Sequence, residues 1–176
     1  IDVSDKVIYM NTFTKTLSST VRISYMVLPG QLLDEFYKKL SFYSCTVSNF
    51  EQYTLAKFIQ EGYFEKHINR LRNYYHSKRD TLITAIRSSR LNESVTISGE
   101  EAGVHFLMEI NTSQPEETLI QSALTQGIRL SPLSAYYHIP QEAPDNVYIM
   151  NYSSIEIDNI KEIIQKLSQC IYSNSI

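Results

Sequence analysis

Residues 7–17, Val-Ile-Tyr-Met-Asn-Thr-Phe-Thr-Lys-Thr-Leu, with Val-Arg-Ile-Ser-Tyr-Met-Val-Leu-Pro at 21–29, decide how the rest of the chain is read. Val7 to Met10 is a short apolar run with the composition of a buried strand, and Arg22 to Leu28 is a second strand stopped by Pro29-Gly30. Between them, Thr12 to Thr20 is a hydroxyl-rich loop whose one cation is Lys15. A lysine at a strand end among hydroxyls is a candidate imine-forming amine, because burial and nearby positive charge disfavour the ammonium and free the lone pair for a carbonyl. Thr12, Thr14 and Ser19 offer hydroxyls to a phosphate, and Arg22 offers a planar guanidinium that grips one bidentately. Taken singly, neither cation decides anything: a lysine in such a loop is usually solvated, and an arginine is usually a surface ion-pair partner.

Outward from this segment the pattern turns helical. Gln31 to Phe42 sets Leu32, Leu33, Phe36 and Leu40 on one face, and Ser48-Asn49 caps a helix running to about Glu61 before Gly62. From Tyr63 to about Ser88 apolar residues recur at threes, fours and one seven (Phe64, Ile68, Leu71, Tyr75, Leu82, Ile86), a helix long enough to bridge two lobes. After Asn92 the character changes. Val104, Phe106, Met108 and Ile110 alternate as a strand, Pro115-Glu116-Glu117 opens a helix that Gly127 closes, and Ile128–Leu130 and Val147–Tyr152 are further strand candidates. Ser153 with Glu156 fits a capping box before a last helix that buries Ile160, Ile163, Ile164, Leu167 and Ile171. Strands interleaved with helices after a long connecting helix make an α/β architecture. The expected division is 1–62, the end of a larger lobe, and 63–176, the connecting helix with a small lobe.

Composition narrows the function classes. A net charge of −3 with no basic stripe argues against direct nucleic-acid binding by this segment. No apolar run is long enough to span a bilayer. The two cysteines, Cys45 and Cys170, lack paired spacing and read as reduced, packed thiols of a cytoplasmic protein. No residues have metal-ligand spacing, so no metal is expected. The chain opens on Ile1 with a strand almost at once, as expected of a piece cut from something longer.

The segment 7–29 resembles the lysine segment of fold-type I aminotransferases, which use pyridoxal 5'-phosphate (PLP), and is most similar to the MocR branch of the GntR transcription regulators. The resemblance extends through Leu55-Ala56-x-Phe58-Ile59-x-Glu61-Gly62, His67-Ile68-x-Arg70-Leu71-Arg72, Lys78-Arg79-Asp80-x-Leu82 and Gly127-Ile128-Arg129-Leu130-Ser131-Pro132-Leu133-Ser134 with Tyr136-Tyr137. It implies that Lys15 matches the Schiff-base lysine, Thr12 a phosphate-contacting hydroxyl with Thr14 beside it, Arg22 the phosphate arginine, and Arg129 the arginine that grips a substrate or effector carboxylate. Asn11, Thr14 and Ser24 stand where the branch usually has Gly, Ser and Gly. It also implies that this is the C-terminal part of the fold. The acidic partner of the cofactor nitrogen, the stacking aromatic and a DNA-binding helix-turn-helix are expected upstream of Ile1, so the fragment alone is expected to be inactive and to retain PLP poorly. A homodimer with an amino-acid-like effector is the expected state of the parent.

The remaining candidates carry blander readings. His67 is expected to serve in packing or a dimer contact, and Arg70, Arg72, Lys78 and Arg79 to form a solvated, salt-bridged helix face. His105 is expected to be packed or hydrogen-bonded in its strand, and Tyr136 and Tyr137 to be wall or interface residues. Three functions stay open at this point: an effector-sensing regulator domain, a working aminotransferase, and a cofactor-free interaction domain on the same fold.

Overall fold

A computed structural model describes residues 4–101 and 103–172. They form two compact units, one ending at Leu71 and the other beginning at Arg72.

In the first unit β1 (Tyr9–Thr12) and β2 (Ser24–Val27) pair antiparallel, Tyr9 opposite Val27 and Thr12 opposite Ser24. Then come α1 (Gly30–Leu40), α2 (Asn49–Gln60) and the opening turns of α3 (Tyr63–Arg87). Ser48 caps α2 as its sequence requires: its hydroxyl accepts from the Glu51 amide at 3.2 Å and donates to the Glu51 carboxylate at 2.9 Å. Gly62 separates α2 from α3 at φ +75°, a backbone conformation that residues with a Cβ rarely adopt.

The expectation of a buried first strand is overturned. Val7 is 56% and Met10 71% exposed, and β2 is exposed along its length. A two-stranded ribbon has no third strand or covering layer among the described residues, so its apolar side chains meet solvent. Pro29 is the one buried residue of this unit among those described. Cys45 is likewise exposed rather than packed, whereas Cys170 is buried.

The second unit holds the core. Its antiparallel sheet has the order β3-β4-β5, formed by Val95–Ser98, His105–Ile110 and Val147–Asn151. Phe106, Met108 and Ile110 point inward from β4, as their alternation dictates, and Tyr148 and Met150 from β5. Leu82, Ile83 and Ile86 of α3 join them, with Leu119 and Ala123 of α4 (Glu116–Thr125) and Ile160, Ile164, Leu167, Cys170 and Ile171 of α5 (Ile160–Tyr172). Ile163, expected among the buried residues of the last helix, is half-buried.

Two local expectations fail here, each for a physical reason. Residues 128–130 are not a strand. They lead into a single bridge between Pro132 and Tyr148, and the Ile149 amide donates to the Ser131 carbonyl at 2.8 Å. Pro132 has no N–H with which to extend a ladder. Ser153 and Glu156 do not form a capping box. The Asn151 side-chain oxygen takes both the Ser153 amide, at 2.9 Å, and its hydroxyl, at 2.7 Å, so that a local turn outcompetes the cap. The last helix then starts only after a 3-10 turn at Ile157–Asn159.

Of the solvated, salt-bridged face expected on α3, Arg70 and Arg72 are exposed but make no ion pair among the described residues, and Lys78 and Arg79 beyond them are not fully solvated. Lys78 is 2% exposed. It occupies the apolar stripe at the position skipped between Tyr75 and Leu82, where its methylene stem packs as a hydrophobe would. Its ammonium donates to the Ser153 carbonyl at 3.1 Å and lies 5.0 Å from the Tyr74 ring centre. Arg79 is half-buried and donates to the Glu100 carbonyl at 2.9 Å and to the Asp80 carboxylate at 2.8 Å.

Candidate functional site

Lys15 stands on a turn held from three directions. Within the turn, the amides of Thr16 and Leu17 both donate to the Phe13 carbonyl, at 3.2 and 2.8 Å. Toward β2, the Phe13 amide donates to the Ile23 carbonyl at 2.9 Å and the Thr14 hydroxyl to the Val21 carbonyl at 2.9 Å. The Thr12 hydroxyl lies 3.2 Å from the Ile23 carbonyl and 3.1 Å from the Thr14 hydroxyl oxygen, and has one proton to give. From α3, His67 Nε2 lies 3.0 Å from the Thr16 carbonyl, and the Phe64 ring meets Phe13 edge-on with centroids 5.8 Å apart. A carbonyl only accepts, so Nε2 is the protonated nitrogen of His67.

Arg22 lies between Val21 and Ile23, the two acceptors that receive the loop, so the bonds that fix the lysine turn also fix the arginine backbone. Lys15 and Arg22 are both exposed, and neither makes an ion pair among the described residues. The enclosure expected for Lys15 from its position after a buried strand is therefore absent in this chain, because that strand is itself exposed. The donor set still suits a phosphorylated aldehyde: an uncommitted amine for the carbonyl and an uncommitted guanidinium for the phosphate. Thr12 and Thr14 spend their hydroxyls on the loop, and a phosphate would have to recruit them away from backbone carbonyls.

Arg129 belongs to the second unit. It is exposed, because Leu130 beside it takes the inward position at 7% exposure. The segment after it is well anchored: the Ser134 hydroxyl donates to the Glu116 carboxylate at 2.7 Å. The Tyr148 hydroxyl under this segment is pushed well above its ordinary pKa, first by burial and then by the Glu116 charge. Tyr136 and Tyr137 are exposed, and His105 is exposed on β4 rather than packed.

No family model matches the chain. Among curated proteins, the HTH-type transcriptional regulator YdeL of Bacillus subtilis is 38% identical over 95% of this chain and 35% of its own length. The probable rhizopine catabolism regulatory protein MocR of Rhizobium meliloti is 35% identical over 95% of this chain and 33% of its own. Among solved structures, the kynurenine aminotransferase of Pyrococcus horikoshii matches 98% of this chain and 42% of its own, with a TM-score of 0.78 and 26% identity. The chain is the C-terminal part of a fold-type I, aminotransferase-like domain of the MocR type. It spans about a third of the length of the curated MocR-type relatives it matches. The aromatic aminotransferase Aro9 of C. albicans, at 19% identity and a TM-score of 0.82, shares the fold.

Two residues of this MocR-type chain make contacts that their sequence did not specify: Lys78 is buried rather than solvated, and the packing expected of His67 is onto the lysine turn. Lys78 had a visible signal, the seven-residue gap in an otherwise regular apolar stripe. His67 had none beyond its place one turn after Phe64, since the contact with Thr16 joins residues 51 apart in sequence.

Proposed function

We propose that this chain forms part of the PLP-binding, effector-sensing domain of a transcription regulator. The observation that carries the reading is the pair of uncommitted cations, Lys15 and Arg22, fixed on one pinned loop. PLP, when bound, supplies an aldehyde to link to an amine and an electron-withdrawing ring. Lys15 gives the amine that holds it, Arg22 neutralises the phosphate, and Thr12 and Thr14 fix the loop and reach the phosphate if their hydroxyls turn outward. Arg129 grips the carboxylate of an amino-acid-like effector whose amine competes with Lys15. DNA binding belongs to a helix-turn-helix outside this chain. That view is supported by the relatives described as HTH-type transcriptional regulators. The working state in this reading is a cytoplasmic homodimer, and the fragment alone does not retain PLP. No helix among the described residues is long and apolar enough to cross a membrane.

The second reading, a working aminotransferase, draws on the 26% identity to the Pyrococcus horikoshii enzyme. In it the Lys15 amine also carries the proton during amino transfer. Turnover of amino acids by the full-length protein separates the two.

The test of the cofactor reading is to load the full-length protein with PLP, reduce it with borohydride and map the labelled peptide. The label is expected on Lys15 and is lost in Lys15→Ala. Arg22→Ala keeps the lysine but weakens PLP retention by about 1.5–3 kcal/mol, the worth of a charge-assisted hydrogen bond. A label on another lysine overturns the assignment.

A further inference from the structure

We infer that His67 is a positioning residue for Lys15, latching the turn from which the lysine projects onto α3; the inference rests on the cofactor reading above. Lys15 lies between Phe13 and Thr16, and α3 meets both of these neighbours. Phe64 packs edge-on against Phe13, at 5.8 Å and an interplanar angle of 76°, and His67 donates to the Thr16 carbonyl at 3.0 Å. Phe64 and His67 are three residues apart on one helix face, and Phe13 and Thr16 are three apart across the turn. The two spacings match, so one helical surface seats both sides of the lysine.

The Thr16 carbonyl takes no part in the bonds that close the turn, which run from the Thr16 and Leu17 amides to the Phe13 carbonyl. It is an end-of-turn acceptor, the kind of group a helical turn leaves for an outside donor. The imidazole supplies that donor in partly buried surroundings, beside an open cavity of about 510 Å³ walled by Leu17, Phe50, Leu55 and Phe58. Reduced contact with water strengthens the bond. Its effect on chemistry is geometric. The Lys15 amine sits at the end of a four-carbon stem, so the direction in which the turn points the Cα–Cβ bond sets where the amine reaches. A displacement of about 1 Å at a reacting centre costs on the order of a hundredfold in rate.

The experiment compares the full-length wild type with His67→Phe, which keeps a ring and removes the donor, and His67→Gln, whose amide nitrogen restores a donor at about the same reach. In the cofactor-free protein, hydrogen exchange at the Thr16 and Leu17 amides is expected to rise on the order of fivefold to tenfold in His67→Phe and to return toward wild type in His67→Gln. With PLP added, covalent attachment to Lys15 should slow on the order of tenfold or more in His67→Phe and recover in His67→Gln. Pyridoxine 5'-phosphate has the phosphate but no aldehyde, and its binding should be the same in all three, which excludes a general loss of structure. Attachment at the wild-type rate in His67→Phe, unchanged exchange, or failure of His67→Gln to restore either one overturns the proposal. A wild type that carries no label on Lys15 overturns the cofactor reading instead, and exchange in the cofactor-free protein still reports the latch by itself.

Discussion

The two units of the molecule differ in where their free energy comes from. The second unit encloses a contiguous apolar cluster drawn from α3, β4, β5, α4 and α5. The first has Pro29 as its one buried residue among those described and leaves Val7, Tyr9, Met10, Tyr25 and Val27 at least 41% exposed. Yet the first unit carries Lys15 and Arg22, the residues with the clearest chemical promise. Their placement depends on hydrogen bonds from threonines, backbone and His67 rather than on burial. In this chain, apolar burial is concentrated in one unit and the proposed cofactor residues lie in the other, and substitutions should affect the two separately.

The largest expected effect tests that separation on its stability side. Leu167 is fully buried in α5, and Leu167→Ala should cost about 2–5 kcal/mol, the transfer energy of the lost methyls plus the cavity they leave. Met10, 71% exposed, should cost within about 0.5 kcal/mol as Met10→Ala in this chain, because little area changes hands. Denaturant midpoints of the two variants measure the difference. Equal losses would mean that the β1–β2 ribbon is covered in solution and that the contrast between the units is false.

Next in size is the effect on ligand response. Arg129→Ala should leave PLP attached to the full-length protein and weaken the spectral response to an effective amino acid by about 2–4 kcal/mol, the loss for removing one partner of a desolvated charge pair. Arg129→Lys should also be damaging, since one ammonium does not reproduce the two-point grip of a guanidinium on a carboxylate. Arg129 is exposed here, so the size of the loss reports whether ligand binding encloses it. A loss below about 1 kcal/mol would mark an open surface pair and move the carboxylate grip elsewhere.

The sequence revealed demands that a segment makes on itself and hid those that depend on its surroundings. The alternation over 104–110 placed Phe106, Met108 and Ile110 inward because a sheet with one buried face permits no other register. Ser48 and Gly62 marked helix ends because capping and positive φ are local demands. The lysine segment was legible through its resemblance to a family, whereas the exposure of Lys15, Arg22 and Arg129 was not: burial depends on what else covers a segment. The capping box at Ser153 failed against a neighbour, Asn151, that competes for the same donors. The His67 latch joins distant parts of the chain, and no local pattern announces it.

A smaller effect is expected at Lys78, where the core of the second unit holds a charge. Lys78→Met keeps most of the stem and loses the ammonium bonded to the Ser153 carbonyl. The lost charged hydrogen bond is partly offset, because an ammonium no longer has to be desolvated, so the net cost should be about 1–2 kcal/mol. Lys78→Ala should cost more, since it removes the packed stem as well. If Met and Ala cost the same, the stem contributes nothing and the ammonium bond accounts for the whole effect.

The smallest effect belongs to the other kind of lysine in the same unit. Lys166 lies 2.6 Å from the Glu162 carboxylate one turn earlier on α5, but the two side chains are 38% and 64% exposed. The hydrogen bond from Lys166, and then its charge, hold the Glu162 carboxyl below the usual carboxylate range. The sign follows from linkage. A carboxyl with a depressed folded-state pKa adds stability above its unfolded pKa, near about 4.3, and loses it as pH falls through the folded value. Water and salt screen so exposed a pair, and holding two long side chains in one geometry costs entropy. Glu162→Gln should therefore lower Tm slightly at pH 7, by less than Lys78→Met does. The difference should shrink in about 1 M salt, where the screening length falls to about 3 Å. It should also disappear once the pH is low enough to protonate Glu162 in the folded wild type. Thermal melts of both variants at neutral and acid pH make the comparison. A Glu162→Gln loss as large as that of Lys78→Met, and indifferent to salt, would mean that this face of α5 is shielded from solvent in the full-length protein.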